Sequence, residues 1–198
     1  MELQIRKLSS ELLPDYLYFF ENVAHTDYPE WDRCYCLHYC SAHNAETDLS
    51  DPEKRREYAI QYVTEGILQG YLAYSNENKV VGWVNANDRS NCMDCDGWVE
   101  MAGNQKINTG GHGKTKSIFC FTVAPARRGE GIAEMLLRRV CEDAIKEGYE
   151  LIEGYPNKGE SDMYYSYVGP LDLYKKLGFT IVGETNGGYI VQKDLRNT

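Results

Sequence analysis

The sequence predicts one mixed α/β domain: a mostly antiparallel central sheet flanked by helices, with one parallel strand–helix–strand crossover and a C-terminal hairpin. Residues 117–123 (SIFCFTV) form a nearly continuous apolar run that is typical of a buried strand. A helix with 3.6-residue periodicity follows, and a second strand is predicted at 149–155, which completes the crossover. The turn T-N-G-G at 185–188 is a strong hairpin signal between two further strands, 179–184 and 189–195.

Length, composition and charge fit a single domain over residues 1–198. The chain is 42% hydrophobic, which is enough for a core, and its net charge of −9 argues against a nucleic-acid-binding surface. It contains no run of about 18 apolar residues, so we expect no membrane-spanning segment. The first ten residues lack the apolar run of a signal peptide, so we expect a cytoplasmic protein.

The N-terminal half is predicted to contain two helices and an antiparallel hairpin. A strand at 2–7 precedes a helix at 10–24, and a capping signal at 50–53 begins a second helix that we expect to end at Gly70. The other predicted parts are an irregular Cys-rich segment at 26–49, a hairpin of 71–74 with 80–86, and a loop insertion at 88–116.

The C-terminal half has the clearer helix pattern. Ile132, Leu136 and Val140 fall on one face of the crossover helix, and Gly148 is its expected end. A short helix at 170–177 is predicted before the closing hairpin.

Two glycine-rich basic clusters, GGHGKT and RRGEGIA, are candidate phosphate sites. The first lacks the leading glycine of a triphosphate loop, because Asn108 stands there, and a strand rather than a helix follows Thr115. We therefore interpret GGHGKT as a polar loop tip. The second, at 127–133, lies between a buried strand and a helix, so its glycines could bring several N–H groups to a pyrophosphate at the positive end of the helix dipole.

The sequence VAPARRGEGIA resembles the acyl-CoA loop of the GNAT superfamily of N-acyltransferases, whose pattern is matched by Val123, Pro125, Arg128, Gly131 and Ala133. LYKKLGF at 173–179 resembles the closing Y-x-x-x-G-F segment of that family. The predicted order of elements resembles the GNAT fold across roughly residues 2–195. The resemblance implies transfer of an acyl group, most simply acetyl from acetyl-CoA, to a primary amine by direct attack on the thioester.

The resemblance also implies roles for particular residues. Strand residues Phe121, Thr122 and Val123 would run beside the pantetheine arm, and the Val123 N–H would polarise the thioester carbonyl. Tyr174 would be the general acid that protonates the leaving thiolate, a role that suits a phenol with a pKa of about 10. The pyrophosphate would be held by the N–H groups of the residues that follow Arg127: Arg128, Gly129, Glu130, Gly131, Ile132 and Ala133.

The incoming ammonium must lose a proton. Glu153, on the strand after the crossover helix, is our first candidate for the base, although strand alternation also fits a buried structural acid. Glu100 and Asp162 are alternatives. The chain departs from the family where many members carry asparagine and alanine, because it has Tyr167 and Pro170 there.

Seven cysteines without a secretory signal favour reduced thiols over a disulfide framework. The segments 34–43 and 91–98 could in principle supply four zinc ligands, but neither has a complete zinc pattern, so we expect no metal. Both segments lie where members of the family shape the acceptor pocket. Their aromatic and acidic side chains could bind an apolar, cationic amine; the acids are Asp27, Glu30, Asp32, Asp94 and Asp96.

The alternative to an N-acyltransferase is a CoA-binding sensor with a metal- or redox-responsive Cys-rich region. Tyr174 favours the enzyme, because a sensor needs no acid for a leaving group. The acceptor, a small-molecule or peptide amine, stays open at this stage. The sequence also leaves open which acyl group other than acetyl could be transferred, and whether the protein forms a homodimer.

Overall fold

The computed structural model describes residues 3–39, 48–93, 95–102, 113–159 and 167–196. These residues form one seven-stranded sheet in the order β1-β2-β3-β4-β5-β7-β6, flanked by helices. The strands are β1 (Gln4–Lys7), β2 (Gly70–Tyr74), β3 (Val80–Asp88), β4 (Thr115–Val123), β5 (Leu151–Gly154), β6 (Thr180–Glu184) and β7 (Tyr189–Asp194). The helices are α1 (Leu13–Asn22), α2 (Pro52–Thr64), α3 (Asp96–Ala102), α4 (Ile132–Lys146) and α5 (Leu171–Lys176).

The predicted fold class is confirmed. All neighbouring strands are antiparallel except β4 and β5, which pair in parallel and are joined by the crossover helix α4. The closing hairpin of β6 and β7 is also present, with its turn at 185–188. None of the described helices is long and apolar enough to cross a bilayer.

The two faces of the sheet carry separate hydrophobic clusters. On one face the periodic stripe of α4, including Ile132, Leu136 and Val140, packs on the central strands. On the other face α1 and α2 cover Trp83, whose ring makes an edge contact with Tyr16. Each large side chain buried in this way contributes about 1.5–3 kcal/mol to stability.

Two sequence predictions, the end of helix α2 at Gly70 and the loop insertion at 88–116, are wrong in part. Helix α2 ends at Thr64, and Gly70 instead opens β2, where a Cβ would lie 2.2 Å from the carbonyl oxygen of Val84. The segment 88–116 is also not a simple loop, because it includes helix α3 at Asp96–Ala102. This helix is short and begins Asp-Gly, so its sequence gives little helical signal.

Candidate active site

The sheet opens between β4 and β5. The two strands pair only from Thr115 to Ile118 of β4, opposite Leu151 to Gly154 of β5. Beyond Ile118, β4 continues to Val123 with β3 as its one strand partner among the described residues. The register of β3 and β4 shifts at this point and leaves Phe119 as an extra residue, which is a β-bulge. Because a bulge bends its strand, it accounts for the separation of β4 from β5.

The open edge of β4 presents the backbone groups of Phe121 and Val123. Ala124 N donates to Val81 O at 3.0 Å, so the backbone of Ala124 faces β3. Successive residues of a strand turn their N–H and C=O groups to opposite sides. Val123 and Phe121 therefore face away from β3 into the gap, whereas Thr122 pairs with Trp83.

A cavity of about 490 Å³ lies beside this open edge. That volume is in the range of small-molecule sites. Its wall is largely aromatic and includes Tyr28, Trp31, Tyr39 and Tyr167. A wider depression of about 750 Å³ lies near the β2–β3 turn and Arg127, but it does not include residues of the β4 edge.

The same cavity brings together thiols and basic groups that are distant in the sequence. Cys34, Cys36 and Cys120 line it, as do His25, His38 and Arg128. The irregular segment that follows α1 supplies most of these residues, so that segment forms one wall of the cavity and β4 forms another. The hydroxyl groups of Tyr39 and Tyr167 lie 3.0 Å apart within it.

The glycine-rich loop leads from β4 into α4. Gly129 and Gly131 have φ angles of 82° and 78°, a left-handed conformation that is costly for other residues. No side chain of the described residues caps the start of α4 at Gly131, and a Cβ at either glycine would meet no atom within 4 Å. The first N–H groups of α4 thus lie at an open, positively polarised helix end that suits an anion.

Both arginines of the loop are paired with carboxylates. Arg127 Nε lies 2.7 Å from Glu130 Oε2, so Glu130 is held by its neighbour within the loop. Arg128 bonds to Asp27 through both terminal nitrogens and lowers the pKa of that carboxyl. The pair of Arg128 and Asp27 attaches the glycine loop to the segment that follows α1.

Tyr174 lies fully buried at the side of the gap. Its hydroxyl donates to the carbonyl oxygen of Val168 at 2.7 Å, and its ring makes an edge contact with Phe121. Burial raises the pKa of Tyr174 above that of an ordinary tyrosine, so the phenol stays protonated at neutral pH. The ring passes over Gly154, where a Cβ would lie 2.3 Å from it. Its hydroxyl is not part of the cavity wall, and its role as an acid stays a prediction.

Glu153 is also fully buried, but among polar partners. Tyr155 and Gln192 each donate to its carboxylate at 2.6 Å, and Arg89 Nη1 lies 3.3 Å away. Burial raises the pKa of Glu153, and these three donors act in the opposite direction. The carboxylate does not line the cavity, so its contacts are those of a structural acid. Of the two roles that the sequence leaves open for Glu153, these contacts favour the structural acid over the base.

The other predicted bases differ in position. Glu100 is largely exposed and lies 3.1 Å from Nε2 of His38 at the cavity wall. Asp162 lies outside the described residues, as do Cys40, His43, Asp94 and residues 103–112 of the predicted loop insertion. Among the described residues, no group of three or more His, Cys, Asp or Glu side chains is arranged to hold a metal ion.

His25 is a cavity residue that the sequence analysis missed. Burial lowers its pKa below the ordinary value of 6.5, and the positive charge of Arg128 acts in the same direction, while Asp27 and Asp32 act against it. Its imidazole is therefore neutral at pH 7, with Nε2 at 3.3 Å from the sulfur of Cys34. A single histidine in an irregular segment carries no spacing signal that could have revealed this position.

A parallel crossover, an open strand edge and a glycine loop at a helix N-terminus are the features that the resemblance to an acyltransferase fold predicts. The family model described as "Acetyltransferase (GNAT) family" matches residues 23–179. The chain therefore belongs to the GNAT acetyltransferase family, and the resemblance drawn from the sequence is confirmed. No curated protein sequence matches the chain.

Solved structures agree on the fold. The PaiA N-acetyltransferase of Thermoplasma acidophilum, in complex with coenzyme A, has a TM-score of 0.53 at 15% identity, over 98% of this chain and 99% of that one. An N-acetyltransferase from Staphylococcus aureus Mu50 has a TM-score of 0.55 at 14% identity, with coverages of 99% and 100%. The ribosomal-protein-alanine N-acetyltransferase of Brucella melitensis has a TM-score of 0.52 at 17% identity, with coverages of 96% and 99%.

Proposed function

We propose that the protein transfers an acetyl group from acetyl-CoA to a primary amine by direct attack on the thioester. The observation that carries this proposal is the unpaired edge of Phe121 and Val123, which leads from the glycine loop to an aromatic cavity. A donor lying along that edge would have its pyrophosphate at the loop and its thioester at the cavity. The coenzyme A held by the PaiA relative supports acyl-CoA as the cosubstrate.

Backbone groups account for donor binding. The N–H groups of residues 128–133 would hold the pyrophosphate at the start of α4, while Phe121 and Val123 would pair with the pantetheine amides. The Val123 N–H would also donate a hydrogen bond to the thioester carbonyl oxygen, where negative charge develops during the attack. Because these donors are fixed in the strand, they need no rearrangement during the reaction.

Tyr174 is our proposed general acid. The amine nitrogen forms a bond to the thioester carbon, and the resulting tetrahedral oxyanion collapses as the carbon–sulfur bond breaks. The departing thiolate takes a proton from the phenol of Tyr174, which burial keeps protonated, and the extra proton of the attacking nitrogen restores the phenol as the amide forms. To donate, the hydroxyl of Tyr174 must give up its bond to the Val168 carbonyl.

We assign His25 as the group that accepts the proton of the ammonium. It faces the cavity as a neutral imidazole, whereas Glu153 has its oxygens directed to Arg89, Tyr155 and Gln192. The half-buried thiol of Cys34, whose pKa desolvation raises to about 12, stays protonated beside it. A neutral imidazole can take a proton from the ammonium directly or through one water molecule.

The acceptor that fits the cavity best is a primary amine with an apolar or aromatic group. Tyr28, Trp31, Tyr39 and Tyr167 offer ring faces that bind both apolar surface and a cation. Four of the acids predicted to bind the cation lie in the described part of the chain, and none of these lines the cavity: Asp27, Glu30, Asp32 and Asp96. Asp27 is paired with Arg128. Acetyl-CoA and reduced thiols are both ordinary in the cytoplasm, which supports that location.

The test is a panel of amines incubated with acetyl-CoA, in which acetylated product is measured by mass spectrometry and CoA release by its free thiol. The panel should contain arylalkylamines, polyamines, aminoglycosides, amino acids and peptides with alanine or lysine termini. We expect the highest kcat/KM for amines with an aromatic group. Tight CoA binding without acetylation of any amine would contradict the proposal and support the sensor alternative.

A further inference from the structure

Two nearly buried thiols from distant parts of the chain line the acceptor cavity. Cys120 lies on β4, directly before the open edge, and Cys36 lies on the irregular segment that follows α1. Each is 6% exposed, and both line the cavity. Residues 84 positions apart in the chain are thus brought to one surface that a small molecule in the cavity can reach.

Asn85 connects the two cysteines. It is the β3 partner of Cys120, and its Nδ2 donates to the carbonyl oxygen of Cys36 at 3.4 Å. The neighbouring Cys36 lowers the pKa of Cys120, and burial raises the pKa of Cys36. The hydroxyl of Thr122 also lies 3.5 Å from the sulfur of Cys120. Cys120 is therefore the sulfur with more thiolate character, and Cys36 holds the proton. This unequal pair is the arrangement from which dithiol oxidation proceeds.

The backbone holds Cys36 in a sparsely populated conformation. Arg33, Tyr35 and Cys36 have φ angles of 53°, 46° and 54°, which non-glycine residues seldom adopt. The fold fixes this segment through Tyr35, whose carbonyl accepts a hydrogen bond from Tyr16 and whose hydroxyl donates to Glu21. Such conformations cluster at functional sites, where the surrounding structure maintains them.

We propose that Cys36 and Cys120 form a redox-active dithiol site that closes to a disulfide across the acceptor cavity. With hydrogen peroxide as the oxidant, the sulfur of Cys120 takes one oxygen atom to give a sulfenic acid, and one water leaves. The sulfur of Cys36 then displaces that hydroxyl, which leaves with the proton of Cys36 as a second water. Two thiols and one peroxide give one disulfide and two waters; the sulfurs lose two electrons and the peroxide gains them.

The disulfide would join the wall of the cavity to β4 next to Phe121. It would change the acceptor side of the site and leave the glycine loop untouched. The expected loss of acetyl transfer rests on the proposed function, whereas formation of the bond does not.

The experiment treats the intact, reduced protein with one equivalent of hydrogen peroxide, digests it with trypsin and maps the peptides without reduction. We expect the intact mass to fall by two hydrogen atoms and a cross-link to join the peptide 34–54 to the peptide 117–127. Dithiothreitol should reverse both changes. Cys34→Ser and Cys141→Ser are matched controls that should keep the cross-link, while Cys36→Ser and Cys120→Ser should each abolish it.

Three results would overturn the proposal: a cross-link that requires Cys34, a bond between Cys92 and Cys95 alone, or oxidation of Cys120 to sulfinic acid without a cross-link. Far-UV circular dichroism and thermal unfolding verify that each variant is folded. If an acceptor is found, its acetylation should fall at least about tenfold on oxidation and recover on reduction, and Cys36→Ser should not show this loss. If no acceptor is found, the peptide map still decides the redox proposal.

Discussion

Tyr174 shows how a single side chain depends on the strand beside it. Its ring occupies the space above Gly154, the last residue of β5, and its hydroxyl reaches the Val168 carbonyl. Any side chain at position 154 would collide with the ring. The sequence alone predicts the importance of Tyr174 through its family motif, but the requirement for glycine at 154 emerges only from the packing of α5 against β5.

We predict that Tyr174→Phe lowers turnover by about 100-fold or more, because the leaving thiolate loses its proton donor. The variant should also lose about 1–3 kcal/mol of unfolding free energy, because the buried Val168 carbonyl loses its hydrogen bond. Steady-state kinetics and urea unfolding measure the two effects separately. Tyr155→Phe is the control: it removes another buried hydroxyl, outside the cavity wall, and should cost stability with little loss of turnover. Full activity of Tyr174→Phe with the best acceptor would exclude the acid role.

His25 predicts the pH dependence of the reaction on its acidic side. Because burial and Arg128 lower the pKa of His25, the imidazole is protonated only below about pH 6.5. We expect kcat/KM to fall as pH decreases through that lowered pKa, and His25→Gln to have a low kcat/KM without that inflection. His38→Gln, at the same cavity, is the control and should retain the inflection. An unchanged profile in His25→Gln would show that another group accepts the proton.

Glu153 gives a prediction that separates a base from a structural acid. We expect Glu153→Gln to keep turnover per folded molecule within about twofold, because the carboxylate does not reach the cavity, whereas loss of a base would cost about 100-fold or more.

The pKa of Glu153 is raised from 4.5, so the folded protein holds this proton to higher pH than the unfolded chain does. The wild type should therefore lose unfolding free energy as pH rises from about 4.5 through that raised pKa, and the variant should lack this component. Urea titrations between about pH 4 and 7 would measure it.

At the scale of elements, the sequence predicts the helices and strands that have a strong periodic pattern. It does not predict the features that depend on contacts with distant residues. Helix α4 and the strands on either side of it follow from the apolar pattern of the sequence. The sequence does not predict helix α3, because its seven residues carry little pattern, although the helix packs near Phe119 and Tyr155. In the sequence, Gly70 has the features of a helix stop. In the structure it is required because the carbonyl of Val84 approaches its backbone closely.

The glycine loop provides a prediction about an element rather than one side chain. We expect Gly131→Ala to weaken acetyl-CoA binding about tenfold or more, because a Cβ at the start of α4 enters the space where the pyrophosphate would lie. The strain of a left-handed alanine adds a cost of about 1–2 kcal/mol in stability. Isothermal titration calorimetry measures the first effect, and thermal unfolding measures the second.

Gly187→Ala is the matched control for that loop variant. Gly187 also has a positive φ, 105°, and its Cβ would likewise meet no atom within 4 Å, but it lies in the β6–β7 turn. It should lose stability to a similar extent and bind acetyl-CoA as the wild type does. Equal binding losses in both variants would mean that general destabilisation, and not the loop, explains the effect.

The whole molecule is a sheet divided at the site. The strands β1 to β4 form one part and β5 to β7 the other. In the described part of the chain, the pairing of β4 with β5 joins them over four residue pairs, from Thr115–Leu151 to Ile118–Gly154. The cavity wall combines segments near residues 25–39, 120–123 and 167–170, which meet only in the folded chain. Local pattern could therefore predict the strand that holds the site, whereas the cavity and its thiols depend on contacts over long sequence separations.

A ligand that fills the gap between β4 and β5 should reconnect the two parts of the sheet. We predict that coenzyme A slows amide hydrogen exchange at Phe121 and Val123, whose N–H groups face the gap, because the pantetheine arm would accept hydrogen bonds there. The Thr122 amide, which faces β3, is an internal control and should change less.

At about 100 times its Kd, coenzyme A should also add about 2.7 kcal/mol to the free energy of unfolding. ADP, which has a pyrophosphate but no pantetheine, is the comparison ligand. It should affect the start of α4 without protecting Phe121 or Val123, and equal protection by both ligands would place the pantetheine arm elsewhere.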